Sequence, residues 1–167
     1  ALDAALRGLR VGLVEQRDFA AGTSSRSSKL IHGGLRYLEQ FNFALVREAL
    51  RERALLLDRL APHLVTPLPF LYPLAHRVWE RPYVGAGLTL YDTLGGLQPS
   101  VPRHSHLSKS AALKAFPSLR PHTLAGAIRY HDAQVDDARH TLELARTAAS
   151  HGASLVSGAR VVDIARD

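Results

Sequence analysis

The run Thr23–Gly34, TSSRSSKLIHGG, continued by LRYLEQ, gathers the side chains with the most to offer chemically. Thr23, Ser24, Ser25, Ser27 and Ser28 carry hydroxyls, Arg26 and Lys29 positive charge, His32 a titratable ring, and Gly33 with Gly34 a paired glycine. Nothing in it recurs at helical or strand spacing, so packing alone does not account for it. Pyrophosphate oxygens only accept hydrogen bonds, and a loop of hydroxyls with two cations suits them. A glycine pair can take a positive φ where the chain turns.

The elements before this run must hold it in place. ALDAALRGLRVGLVEQ reads as the end of a helix, with apolar Leu2, Ala5, Leu6 and Leu9 and Gly8 near its end, then a short buried strand closed by Glu15. That is the order of the second half of a dinucleotide-binding βαβ unit, in which an acidic residue about 20 positions after a G-x-G-x-x-G turn accepts ribose hydroxyls. The same order occurs in many folds, so Glu15 taken alone reads equally as the end of a strand. Counting back from Glu15 passes Ala1, and the chain opens without Met. A glycine motif is therefore expected upstream.

The stretch EQRDFAAGTSSRSSKLIHGGLRYLE resembles the segment after the second strand of FAD-dependent glycerol-3-phosphate dehydrogenases, the respiratory flavoenzymes distinct from the soluble NAD-linked type. Thinner similarity runs through LVREALRERALLLDRLAPHLVTPLPFLYP, YDTLGG and VDDARHTLELARTAASHGA. The resemblance implies an α/β (α+β) fold, a Rossmann-like FAD-binding portion with an inserted helical and sheet portion of a substrate domain. It places Glu15 on the adenosine ribose of FAD, the Thr23 to Lys29 loop along the pyrophosphate and ribityl chain, and Leu30, His32, Gly33 and Gly34 at the flavin. A glycine pair there would let backbone approach a flat ring. The resemblance sets Arg36 and Tyr37 against a phosphorylated substrate, Arg36 forking onto the phosphate unless it is a solvated helix arginine, and Val161 at the adenine edge. His32 is then left three roles: accepting the substrate hydroxyl proton, holding the substrate, or orienting the ring. Oxidation of sn-glycerol 3-phosphate to dihydroxyacetone phosphate is implied, with a quinone as electron acceptor. An oxidase of the same fold that uses oxygen is the alternative, and a non-enzymatic phosphate- or nucleic-acid-binding module is a third reading. The resemblance implies a cytoplasmic protein and admits peripheral attachment to the inner face of the cytoplasmic membrane, and a homodimer.

The remainder reads as scaffold. Asn42 caps a helix whose apolar residues are Val46, Ala49, Leu50, Leu56, Leu57 and Leu60, with a solvated charged face and a stop at Pro62. TPLPFLYPL is strand-like but broken by prolines, suited to a sheet edge or an extended crossover rather than to a central strand. A helix is expected over residues 83–94, core-facing; the alternative, which the resemblance implies, sets Trp79 and the apolar residues after it against lipid. SVPRHSHLSKS is a loop; its His104 and His106 lack a third ligand, and no metal site is expected. LAGAIRYHDAQVDDARH gives a strand and a helix capped by Asp136 or Asp137, and ASLVSGARVVDIAR two short strands. The domain boundaries expected are 1–40 for part of the FAD-binding domain, 41–134 for the insertion, and 135–167 for the return.

Composition closes off several classes. The 167 residues, 46% hydrophobic and 22% charged, are those of a folded domain, not a disordered tail. Zero cysteines remove disulfides, thiolate metal sites and a cysteinyl-linked cofactor within this chain. The +6 charge comes almost entirely from arginines scattered among Leu and Ala, without a stripe or interleaved aromatics, so no nucleic-acid partner is expected. The chain is expected to be a fragment that is inactive alone. Sequencing the coding region upstream of Ala1 tests the dinucleotide reading: a strand ending in G-x-G-x-x-G is expected within about 20 residues, and a glycine-free upstream stretch would sink it.

Overall fold

Three prolines in one strand decide where the edge of the larger sheet lies. The computed structural model describes residues 1–76, 78–96 and 100–165. Along the chain its regular elements are α1 (Leu2–Leu6), β1 (Gly12–Glu15), β2 (Leu30–Ile31), α2 (Phe43–Leu55), β3 (Thr66–Leu74), α3 (Glu80–Leu94), β4 (Ser105–Leu107), α4 (Lys109–Ala115), β5 (Gly126–Gln134), α5 (Asp137–Ser150) and β6 (Ser154–Ser157). They form two compact units: Leu30–Gln134, and Ala1–Lys29 together with Val135–Asp167. The first division falls between Lys29 and Leu30, upstream of residue 40, because Leu30 and Ile31 pair as β2 with Gln134 and Ala133 of β5.

In the unit Leu30–Gln134, β5 is the axis of an antiparallel sheet. β3 lies along one side of it from end to end; β2 and β4 take opposite ends of the other side. Pro67, Pro69 and Pro73 of β3 sit opposite Ala133, His131 and Ala127. Sharing one parity, the three imide nitrogens all turn the same way, and a nitrogen without hydrogen is tolerated where it faces the free edge. Both faces of β5 are covered. Ile128 packs with Leu74 and with Leu88 of α3, while its neighbour Ala127 packs with Leu124 and with Ala112 of α4.

Helix α2 begins at Asn42, whose side chain accepts the Leu45 N–H at 3.3 Å. Val46, Leu50 and Arg53 are its buried residues. That spacing of four and three marks one helical face, so an arginine lies in the apolar stripe and the charged residues are not all solvated. After Leu55 the chain continues as a π-helical turn over Leu56–Leu60 toward Pro62. Helix α3 starts earlier than residue 83, buries Gly85, Leu88 and Tyr91, and leaves Trp79 and Tyr83 exposed. The histidine-containing stretch supplies β4 as well as loop, because its residues 105–107 complete the ladder beside β5.

In the other unit β1 and β6 run parallel, from Gly12 opposite Ser154 to Glu15 opposite Ser157. β1 is half-exposed, with Gly12 and Val14 open, since a two-stranded ribbon covers only alternate side chains. Asp136 caps α5 by accepting the Arg139 N–H at 3.3 Å. The helix ends through Gly152 at φ +88°, the left-handed conformation that glycine adopts without a Cβ penalty. The second strand expected after β6 is absent among the described residues, where 158–165 hold no regular structure. No helix among the described residues is long and apolar enough to cross a membrane.

Candidate functional site

In the unit built on β1 and β6, the carboxyl end of β1 opens onto a cleft of about 520 Å³ whose lining includes Glu15, Arg17, Gly22, Ser24, Arg160 and Val161. Clefts outside the carboxyl ends of parallel strands are where ligands of α/β folds bind. Glu15 is fixed there. Its Oε1 accepts the Arg17 N–H at 2.8 Å, and its backbone carbonyl accepts the Ala159 N–H at 3.0 Å. Val161, whose side chain is exposed, and Ser24 line the same cleft as Glu15.

The hydroxyl run leaves this cleft as a 3₁₀ turn over Thr23–Ser25. Ser25 donates to the Ala20 carbonyl and Ser27 to the Asp137 carboxylate, while Ser27 Oγ accepts the Lys29 N–H at 3.0 Å. Lys29 Nζ lies 3.6 Å from Asp136, both side chains being more than half exposed. The Arg139 N–H, and after it the Lys29 ammonium, hold the Asp136 carboxyl below the usual carboxylate range. Lys29 adopts φ +60°, uncommon for a residue with a Cβ. Ser25 and Ser27 therefore set the loop's shape through protein partners, whereas Thr23, Arg26 and Ser28 are exposed. The acids at the head of α5 are both cap and clamp.

Leu30, His32, Gly33, Gly34, Arg36 and Tyr37 belong to the unit Leu30–Gln134. Leu30 is half-buried in β2, and His32 and Arg36 are exposed. Gly34 takes φ +70° and opens a 3₁₀ turn over Leu35–Leu38, in which Tyr37 N–H donates to the Gly34 carbonyl at 2.8 Å. After Phe41 at φ +56°, the helix capped by Asn42 begins at Phe43, where the sequence places it. Gly33 is demanded by what lies beneath it. A Cβ there would come within 2.3 Å of Leu50 Cδ2 and 2.5 Å of the Tyr91 hydroxyl.

Beneath the turn lies a polar group that sequence reasoning missed. Asp132 Oδ1 accepts from Arg53 Nη1, from Tyr91 O–H at 2.7 Å, and from Gly33 N–H at 3.3 Å. Gly33 N–H also donates to the Tyr91 oxygen at 2.8 Å, and Arg53 Nη1 to the His131 carbonyl at 3.2 Å. Arg53 and Asp132 are both buried, the guanidinium 5.8 Å from the centre of the Tyr91 ring. Burial first, and then the Asp132 carboxylate, push the Tyr91 phenol far above its ordinary range. The one available signal was Arg53 three residues after Leu50, on the apolar stripe. Away from this group, His104 Nδ1 meets Asp92 Oδ2 at 2.7 Å, and no cluster of three His, Cys, Asp or Glu able to hold a metal occurs among the described residues.

Residues 1–167 match the model of the family described as FAD dependent oxidoreductase. The chain is 62% identical, over all 167 of its residues, to a glycerol-3-phosphate dehydrogenase of Mycobacterium leprae (strain TN), and spans 28% of that relative's length. It superposes with a TM-score of 0.64 and 31% identity on the glycerol-3-phosphate dehydrogenase from Bacillus halodurans complexed with FAD, with 99% of this chain and 25% of that one covered. The L-proline dehydrogenase from P. horikoshii shares the fold, with a TM-score of 0.68 at 21% identity over 93% of this chain and 39% of that one.

The buried ion pair makes a stability prediction. Arg53→Met strands the Asp132 carboxylate and should destabilise the protein by about 3–5 kcal/mol in urea unfolding, whereas Arg53→Met combined with Asp132→Leu should recover most of that loss. A double variant as unstable as the single one would show that the pair's charge is not what matters.

Proposed function

The chain belongs to the family of FAD-dependent oxidoreductases, and from that premise we propose that the whole protein oxidises sn-glycerol 3-phosphate to dihydroxyacetone phosphate. We further propose a quinone as the final electron acceptor, with the protein on the cytoplasmic side and held peripherally at the membrane that contains the quinone. The likeness along the entire chain to a protein named glycerol-3-phosphate dehydrogenase carries the reading. The residues at hand fit the adenosine end of FAD. The Glu15 carboxylate, which lines the cleft, would accept ribose hydroxyls, Val14 and Val161 would offer apolar wall to a flat base, and at Gly22 a Cβ would meet nothing within 4 Å.

Oxidation at C2 removes one hydrogen as hydride and the hydroxyl proton, leaving a ketone. Bound FAD supplies the two-electron acceptor for the hydride. Thr23, Ser24 and Ser28 would donate to its pyrophosphate oxygens, with the loop kept in shape by Ser25, Ser27 and Lys29 through their protein partners. Leu30 and the Gly33–Gly34 turn would offer backbone to the ring. His32 takes the C2 hydroxyl proton when its imidazole is neutral. Arg36 forks onto the substrate phosphate, and Tyr37 beside it shapes the same pocket. The phosphate lies remote from the reacting carbon, so its capture supplies binding energy that orients the carbinol.

Arg36→Lys in the whole protein tests this assignment. Charge is kept but the planar fork is lost, so kcat/KM for glycerol 3-phosphate, measured by dye reduction at matched flavin content, should fall by about 10- to 100-fold. Glycerol, which has no phosphate, should lose far less. Equal activity of the two proteins on the phosphorylated substrate would return Arg36 to the solvent. Oxygen uptake measured beside reduction of a soluble quinone decides the acceptor.

A further inference from the structure

Tyr91 is 2% exposed, lies 58 residues from Gly33 in sequence, and yet its hydroxyl is the nearest partner of the Gly33 N–H. We propose that Tyr91 is a positioning residue: its buried hydroxyl sets where the Gly33–Gly34 turn stands, and through that turn the placement of His32 and Arg36. The inference rests on the proposed flavin-dependent oxidation of a phosphorylated alcohol.

Three observations carry it. The chain of hydrogen bonds has one direction, Gly33 N–H to Tyr91 oxygen at 2.8 Å and Tyr91 O–H to Asp132 at 2.7 Å. Because burial and the Asp132 carboxylate both keep the phenol protonated, its hydrogen always goes to Asp132 and its lone pair is always open to Gly33. The contact also has no slack, since a Cβ on Gly33 would stand 2.5 Å from that hydroxyl. Finally, the turn passes its position on within a few residues. Gly34 is left-handed, its carbonyl receives the Tyr37 N–H, and Leu35 between them packs against both the Leu88 and the Tyr91 core clusters. Arg36 therefore has little freedom except along its own side chain. Asp132 alone cannot hold the turn as closely, because its direct bond to Gly33 is 3.3 Å long.

A tyrosine that only filled the core would make the same packing contacts, so the test must separate position from packing. In the whole protein with FAD bound, Tyr91→Phe removes one oxygen and leaves the ring. Hydrogen–deuterium exchange at the Gly33 amide should speed up about tenfold or more, while bound flavin per protein stays unchanged. Per bound flavin, KM for glycerol 3-phosphate should rise about tenfold with a smaller change in kcat, and glycerol should respond less. Faster exchange with unchanged KM would make Tyr91 structural only, and unchanged exchange would overturn the anchor itself. The wild type supplies a check that does not depend on the variant folding: its Gly33 amide should be as protected as those of β5, and an unprotected amide refutes the proposal. If wild-type flavin is not reduced by glycerol 3-phosphate, the functional reading fails, and the exchange result still decides the anchor.

Discussion

A carboxylate taken out of water costs several kcal/mol unless its lone pairs are met, and Asp132, 4% exposed, is the point around which the unit Leu30–Gln134 is arranged. Its partners come from places far apart in sequence: Arg53 from α2, Tyr91 from α3, and Gly33 from the turn after β2. β5, which carries Asp132, must therefore be the strand on which both helices and the turn converge, and it is the strand that pairs with β2, β3 and β4. The prolines of β3 keep that strand at the edge and leave β5 inside. Apolar packing around Ile128 and Leu88 supplies most of the burial, but it is non-directional. The ion pair and the Tyr91 hydroxyl beside it are directional, and so they select one placement of the turn whose Gly33 N–H they receive.

The other unit works by a different constraint. A parallel pair of strands ends at Glu15 and Ser157, and the segments that follow are joined by Ala159 N–H to the Glu15 carbonyl and Gly158 N–H to the Arg17 carbonyl. That join holds the Glu15 carboxylate beside an open cleft. Chain continuity is managed at one place, where Val135 N–H donates to the Lys29 carbonyl at 3.0 Å, so the chain leaves and re-enters this unit at hydrogen-bonded neighbours. Directly after re-entry come Asp136, which caps α5 and pairs with Lys29, and Asp137 in the helix's first turn, which accepts from Ser27. One pair of acids thus serves a helix terminus and a loop at once.

Local chemistry was legible in the sequence. The Asn42 and Asp136 caps, the proline-marked edge strand, the strand and helix on either side of Val135, and the hydroxyl run with its glycine pair all follow from rules that reach a few residues along the chain. What escaped depends on distance. Arg53 looks like one more arginine in an arginine-rich chain, because its buried partner lies 79 residues away. Tyr91 reads as an apolar helix residue, and nothing near it announces a bond to Gly33. The glycine pair was read as room for a flat ring; the packed side of Gly33 turns out to be Leu50 and Tyr91, while Gly34 supplies the positive φ. Just before the Asn42 cap, Phe41 is left-handed, a conformation that no composition rule assigns to phenylalanine.

The turn carrying His32 and Arg36 is proposed to serve the oxidation of a phosphorylated alcohol by bound flavin, and the most direct test is anaerobic: visible flavin absorbance of the whole protein, followed after separate additions of sn-glycerol 3-phosphate, glycerol and L-proline. Glycerol 3-phosphate is expected to bleach the flavin in a single enzyme turnover while glycerol and L-proline leave it oxidised. Bleaching by L-proline, the substrate named for a protein of the same fold, with none by glycerol 3-phosphate would contradict it.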